Sequence, residues 1–137
     1  MKILVVTVAI VVGCLLSLAP GVADDDVMSS YLDPLRARKR DCGHMTLENR
    51  ERTAIDACVV ESLQEKRPFV VRYDHQGDEA TVSWAMVLGA SGRLALAHWD
   101  AWGCHERSCV KVYPCDQPTV SVQENRLRVQ CTNVHEF

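Results

Sequence analysis

The sequence lacks the features that mark nucleic-acid-binding proteins, zinc domains and serine hydrolases. It has 15 Lys and Arg residues against 18 Asp and Glu residues, a net charge of −3, so no basic excess is present to attract nucleic acid. It has no CxxC pair, and the spacing of Cys104 and Cys109 fits no common zinc motif. The glycines around Ser91 are not spaced as in a nucleophile elbow. We therefore predict no cofactor, no metal site, no catalytic residues and no nucleic-acid partner.

The first 23 residues have the pattern of a secretory signal peptide. Lys2 precedes an apolar run from Ile3 to Leu18, Pro20 breaks the run, and Ala23 ends a stretch of small residues just before Asp24–Asp26. This order predicts cleavage after Ala23 and a secreted or periplasmic protein. The run is short for a bilayer, and no basic stop-transfer cluster follows it, so we expect no integral membrane segment after cleavage.

Cys14 leaves a second interpretation open. Val11–Cys14 resembles the processing box of a bacterial lipoprotein, in which the cysteine becomes a lipid-bearing N-terminus. The apolar run continues past it through Leu15–Ala19, where lipoproteins usually become polar. A lipid-anchored envelope protein is therefore the alternative to a freely exported one.

Removal of residues 1–23 leaves 114 residues, the size of one small domain. Lys2 is the only charged residue lost, which leaves 14 basic and 18 acidic side chains and a net charge of −4. An even number of cysteines in an exported domain indicates disulfides. The six that remain are Cys42, Cys58, Cys104, Cys109, Cys115 and Cys131.

A predicted hairpin suggests how these cysteines pair. A turn at Glu124-Asn125 would place Val122 opposite Leu127. That register brings Cys131 close to Cys115. We therefore favour Cys115–Cys131 and, by elimination, Cys42–Cys58 and Cys104–Cys109, out of the 15 pairings that six cysteines allow.

The mature chain divides into a lead-in and one α+β domain. Residues 24–41 begin acidic and become basic at Arg36–Arg40, a pattern typical of a flexible, solvated segment. Residues 42–137 form the domain. Apolar residues recur at helical spacing over Thr46–Lys66, and Pro68 ends this predicted helix.

From Phe69 onward the apolar period changes to two, which predicts strands. They cover 69–74, 80–88, 94–99, 110–113, 120–122 and 127–129. The expected α+β fold is one amphipathic helix packed on an antiparallel meander sheet of five or six strands, stapled by disulfides.

The segment from Trp99 to Cys109 is the predicted binding site. Trp99, Trp102 and His105 lie on or beside a loop that a disulfide would close, and tryptophan is enriched in binding hot spots. The predicted function is a small binding module for an unidentified protein or envelope component. The alternative is a small hydrolase that uses His98 and Asp100, which point to the same side of a strand.

Several short motifs resemble small exported bacterial proteins to which no activity is assigned. They are Asp56–Val59, Pro68–Asp74, Gly77-Asp78, Trp99-Asp100 and the later cysteines, so the resemblance covers residues 42–131. It implies no activity, cofactor or site. A helix followed by an antiparallel sheet is also the outline of cystatin-like inhibitors, but their Gln-x-Val-x-Gly loop is absent, so that similarity concerns the fold alone.

Overall fold

The computed structural model describes residues 26–124 and 126–133. The predicted signal peptide, Cys14 included, lies outside these residues. Across the described residues the elements follow in this order: α1 (Val27–Arg36), β1 (Arg40–Met45), α2 (Thr53–Gln64), β2 (Phe69–Gln76), β3 (Thr81–Leu88), β4 (Leu94–Asp100), a 3₁₀ turn (Arg107–Cys109), β5 (Lys111–Cys115), β6 (Thr119–Gln123) and β7 (Arg126–Gln130). None of the helices in this part of the chain is long and apolar enough to cross a membrane.

Strands β1 to β5 form one mixed sheet, in the order in which they occur in the chain. Strands β2 to β5 are antiparallel neighbours, as the alternating pattern predicts, and Val71, Met86 and Leu96 are aligned across three of them. Strand β1 runs parallel to β2, because the chain crosses over through α2 between them. The prediction of a wholly antiparallel sheet is therefore wrong. Strands β6 and β7 form a separate two-stranded sheet.

The segment predicted as a flexible lead-in forms helix α1 and packs on the sheet. Asp26 caps the helix by accepting a hydrogen bond from the backbone N–H of Ser29, 3.1 Å away. Val27, Met28 and Leu32 are buried against the sheet. The prediction of a single helix is therefore wrong. Local charge made the segment look solvated, whereas a row of apolar residues at helical spacing buries one side of it.

Helix α2 is shorter than the predicted Thr46–Lys66. Thr46 caps a turn, since its hydroxyl accepts from the Asn49 N–H at 2.9 Å, but the helix begins only at Thr53. Its end is a Schellman-type turn with Lys66 at a φ of 52°. There the Arg67 N–H reaches back to the Ser62 carbonyl at 2.8 Å. The predicted end near Pro68 is close to the observed one.

The sheet is covered on both faces, so the molecule has three layers. Helix α1 packs on one face, around Val70, Ala85 and Ala97. Helix α2 and the β6–β7 hairpin cover the other face in a second apolar cluster, which includes Phe69 and Leu127. The predicted fold had a single helix, which would have left the other face of the sheet exposed to solvent.

Two of the three disulfides join these layers, and all three predicted pairings are confirmed. Cys42–Cys58 links β1 to α2, and Cys115–Cys131 links β5 to the end of the hairpin, each with a sequence separation of 16 residues. Cys104–Cys109 closes a loop of the β4–β5 connection. A crosslink over a loop of about 15 residues stabilises a fold by about 3 kcal/mol in the chain-entropy account. Three disulfides fit a protein of an oxidising compartment.

Candidate ligand-binding site

A cavity of about 480 Å³ lies between the sheet and the β6–β7 hairpin. We call it the hairpin cavity: β2, β3 and β4 form its floor, β7 forms its roof, and Arg52, immediately before α2, lies at one side. Its volume is within the range of ordinary small-molecule pockets. The parts of the chain that surround it are far apart in sequence, so only the assembled fold creates it.

The floor and roof of the hairpin cavity are mainly apolar. Successive strand residues point to opposite faces, so every second residue of β3 faces the hairpin, and the aligned residues of β2 and β4 join them. The apolar and aromatic lining includes Tyr73, Trp84, Met86, Leu96, Leu127 and Val129. Such a surface favours a ligand with an apolar body.

The remaining polar lining is basic. Arg52, His75, Arg126 and Arg128 line the hairpin cavity, and no Asp or Glu is among the described residues that do so. Arg52 is held in place, because its guanidinium carbon lies 4.9 Å from the centre of the Tyr73 ring and its Nε lies 3.5 Å from an Asp56 oxygen. The cavity therefore combines apolar walls with positive charge.

Asp56 fixes the hairpin above the floor. This buried carboxylate accepts hydrogen bonds from the Tyr73 hydroxyl at 2.7 Å and from the backbone N–H of Leu127 at 3.1 Å. Burial and the neighbouring Asp56 carboxylate raise the pKa of Tyr73. The tyrosine hydroxyl is thus neutral and already has an acceptor, so it supports the site rather than offering a charge to a ligand.

His98 and Asp100, the residues of the hydrolase alternative, have separate partners. The His98 ring lies against Trp84, with ring centres 4.1 Å apart, and Asp100 Oδ1 accepts the backbone N–H of Trp102 at 2.9 Å. Burial and the charge of Lys111 lower the pKa of His98, although the Asp100 carboxylate opposes them. Within the described residues no hydrogen bond joins this histidine to this aspartate, so the geometry of a catalytic dyad is not formed.

The three residues predicted to bind a partner occupy different environments. Trp99 is buried on the α1 face, and its indole N–H donates to the Cys104 carbonyl at 3.1 Å, which anchors the loop. Trp102 is 56% exposed and borders a cleft next to Glu79. His105 is exposed and borders another cleft, which Trp99 also lines. A role in binding stays a prediction for all three residues, and Trp99 is also part of the apolar core under α1.

A network of buried charges under α1 was not anticipated from the sequence. Arg72 donates from Nε and Nη2 to the two carboxylate oxygens of Asp74 at 2.7 and 3.1 Å, and from Nη1 to Asp26. Ser83 and His44 also contact the Asp74 carboxylate, each at 2.6 Å. The guanidinium therefore joins the N-terminal cap of α1 to the sheet.

Several contacts determine the charge of Asp74 in this network. Burial acts to raise its pKa, but hydrogen bonds from His44, Arg72 and Ser83 outweigh burial and lower the pKa to about 2. Ser83 is fully buried and donates to the carboxylate. Asp74 thus stands between the serine and the histidine, an order unlike that of a nucleophilic triad. The arrangement holds α1 in place.

The positions of Asp74 and Ser83 in the sequence contain a signal for this network. The two residues pair across β2 and β3, so a predicted register would have placed them side by side. His44 contacts Asp74, and Asp26 joins the network through Arg72. Both come from segments for which no parallel strand or docked helix was expected. Arg126 and Arg128 of the cavity lining alternate in sequence with Leu127 and Val129, a pattern that indicates only the solvated side of a strand.

Comparison with known proteins identifies no relative of this chain. No family model, curated protein or solved structure matches the chain. The resemblance to small exported bacterial proteins therefore stays a prediction, and functional inference depends on the site itself.

Proposed function

We propose that the protein is an exported binding module that holds a small, mainly apolar molecule in the hairpin cavity. The observation that carries this proposal is a cavity of about 480 Å³ with an aromatic and aliphatic lining and four basic residues. Ligand pockets generally have this composition, in which apolar contact supplies affinity and a few polar groups supply orientation.

Export is part of the same proposal. Three disulfides fit an oxidising compartment, and the N-terminal pattern favours secretion or the periplasm after cleavage behind Ala23. Attachment through a lipid on Cys14 is the alternative route to the same side of the membrane. The acidic net charge favours a ligand or an envelope component over nucleic acid.

Binding without catalysis is supported by the partners of the reactive side chains. All six cysteines of the mature chain are in disulfides. Ser83 is buried under α1, and His98 lies against Trp84 and has no hydrogen bond to Asp100 among the described residues. These positions offer no activated nucleophile next to the hairpin cavity.

The test compares two tryptophans in a titration with N-phenylnaphthylamine, an uncharged apolar dye whose fluorescence rises on transfer from water. Trp84 lines the hairpin cavity, whereas Trp102 is exposed on the loop. We expect Trp84→Ala to weaken dye binding about tenfold, because it removes a large part of the apolar wall. Trp102→Ala is the matched control and should bind the dye as the native protein does.

Two results would contradict the proposal. Native protein that leaves the dye unbound would show that the cavity does not accept apolar molecules. Equal binding by the native protein and a folded Trp84→Ala variant, together with loss in Trp102→Ala, would move the site to the loop. Thermal unfolding of each variant shows that the compared proteins are folded.

A further inference from the structure

The positive charge beside the hairpin cavity lies on one strand of its roof. Arg126 and Arg128 alternate with Leu127 and Val129 along β7, and the apolar pair is buried whereas the arginines are exposed. Both arginines border the cavity and are exposed. Residues two apart on a strand are separated by about 7 Å, so two long side chains at this spacing can reach one group at the cavity mouth.

These two arginines have no acidic partner within the part of the chain that the structure describes. Arg52 is another cation of the lining, on the α2 side. It lies close to Asp56 and over the Tyr73 ring. Arg126 and Arg128 take part in no ion pair among residues 26–124 and 126–133. Their charge is therefore available to a ligand, and no neighbouring carboxylate in the described lining opposes an anion.

The position of the charge sets the orientation of a ligand. An apolar body gains most by lying on Trp84 and Met86, away from water. A charged group would be costly to bury there but costs little at an exposed edge. Guanidinium groups bind carboxylates and similar oxyanions through paired N–H donors. A ligand with one apolar end and one anionic end satisfies both regions at once.

We propose that the hairpin cavity selects small apolar anions, with the apolar body on the floor and the single negative group bound by Arg126 and Arg128 at the mouth. This inference rests on the proposed function, because it names the ligand class of the same cavity. In this proposal the arginines of β7 determine which ligands bind, and the apolar residues of the sheet supply most of the binding affinity. Cations and strongly polar solutes are excluded by the arginines and by the apolar floor respectively.

The experiment uses two dyes with the same ring skeleton. N-phenylnaphthylamine is neutral, and anilinonaphthalene sulfonate carries one negative group. Both are titrated into the oxidised native protein and into the double variant Arg126→Gln, Arg128→Gln. We expect the double variant to bind the sulfonate dye about tenfold more weakly, since contacts with charged groups are lost. Its affinity for the neutral dye should change by less than about twofold.

A second double variant, Arg38→Gln with Arg93→Gln, controls for net charge. It removes two exposed arginines that do not line the cavity, so it should bind both dyes as the native protein does.

Three results would overturn the inference. Unchanged binding of the sulfonate dye by the β7 variant would exclude its arginines as the anion contact. Equal weakening of both dyes would mean that the arginines only shape the cavity. If the Arg38→Gln, Arg93→Gln variant binds the sulfonate dye as weakly as the β7 variant does, the effect is one of net charge alone. In all three cases binding of the neutral dye by the native protein leaves the proposed function standing, whereas failure of both dyes to bind the native protein removes both proposals.

Discussion

Asp56 and Leu127 are 71 positions apart in sequence, and the aspartate carboxylate accepts a hydrogen bond from the backbone N–H of Leu127 at 3.1 Å. This bond attaches the roof of the hairpin cavity to α2. The same carboxylate accepts the Tyr73 hydroxyl from the floor. One buried side chain therefore sets the spacing between the two walls of the proposed site.

Loss of this carboxylate is expected to loosen the hairpin. Asp56→Ala leaves the Leu127 N–H and the Tyr73 hydroxyl without their acceptor, and each unsatisfied buried group is costly. We expect the free energy of unfolding to fall by about 3 kcal/mol, measured by urea denaturation. Amide exchange at Leu127 should also accelerate.

Asp78→Ala provides the control for Asp56→Ala, because Asp78 is an exposed acid in the β2–β3 turn. It should change the stability by less than about 0.5 kcal/mol. Equal stability of the two variants would show that Asp56 does not hold the hairpin.

Acid should weaken the attachment of α1 through Asp74. Its pKa is lowered from 3.8 to about 2 in the folded protein. A depressed carboxyl pKa contributes stability above the unfolded value, and that contribution disappears as the pH falls through the folded value. We expect a loss of about 2 kcal/mol from this residue between about pH 5 and pH 2.

Urea denaturation of the native protein and of Asp74→Asn at several pH values measures this contribution. The variant should be less stable near neutrality, and its stability should fall less in acid. Parallel pH curves for the two proteins would contradict the assignment of this acid loss to Asp74.

Because α1 packs on the sheet, we expect its apolar face to contribute to the free energy of unfolding. Met28 and Leu32 are fully buried. Truncation of such side chains usually lowers the free energy of unfolding by about 2 to 5 kcal/mol. We therefore expect a loss of about 3 kcal/mol for Met28→Ala or Leu32→Ala. Leu35→Ala, at a partly buried position of the same helix, should cost less. A flexible lead-in would give no loss at any of the three positions, as seen in thermal or urea unfolding.

His98 should titrate below its usual value of 6.5, because burial and the charge of Lys111 lower its pKa. NMR titration of its ring protons measures the midpoint directly. Asp100→Asn should lower the midpoint further, since the Asp100 charge acts in the opposite direction. A midpoint above 6.5 in the native protein, or a rise in the variant, would contradict the described environment.

Much of the covalent and strand framework follows from local sequence patterns. The hairpin predicted from the sequence brings Cys131 close to Cys115, and the other two pairs follow by elimination; all three pairs are present in the structure. Alternation of apolar residues located β2 to β5. Both signals are short-range, because hairpins and meanders join residues that are near in sequence.

Other parts depend on contacts that a local pattern does not contain. Arg72 and Asp74 look like the solvated side of a strand until α1 covers them, and Asp26 lies 46 positions before its partner Arg72. The parallel pairing of β1 likewise depends on a crossover. The hairpin cavity needs α2, the sheet and β7 together, so no single segment of the sequence could indicate it.

The Cys115–Cys131 bond has a practical consequence for how this protein is produced. It joins the end of the β6–β7 hairpin to β5, beside hydrogen bonds from Asn133 to the Pro114 carbonyl and from Thr132 to the Asp116 carbonyl, while Asp56 holds the hairpin at Leu127. Chains made where thiols stay reduced are expected to assemble the five-stranded layer while leaving the last two strands poorly seated. Ligand assays on such material would then underestimate affinity, so recombinant protein should come from an oxidising export route.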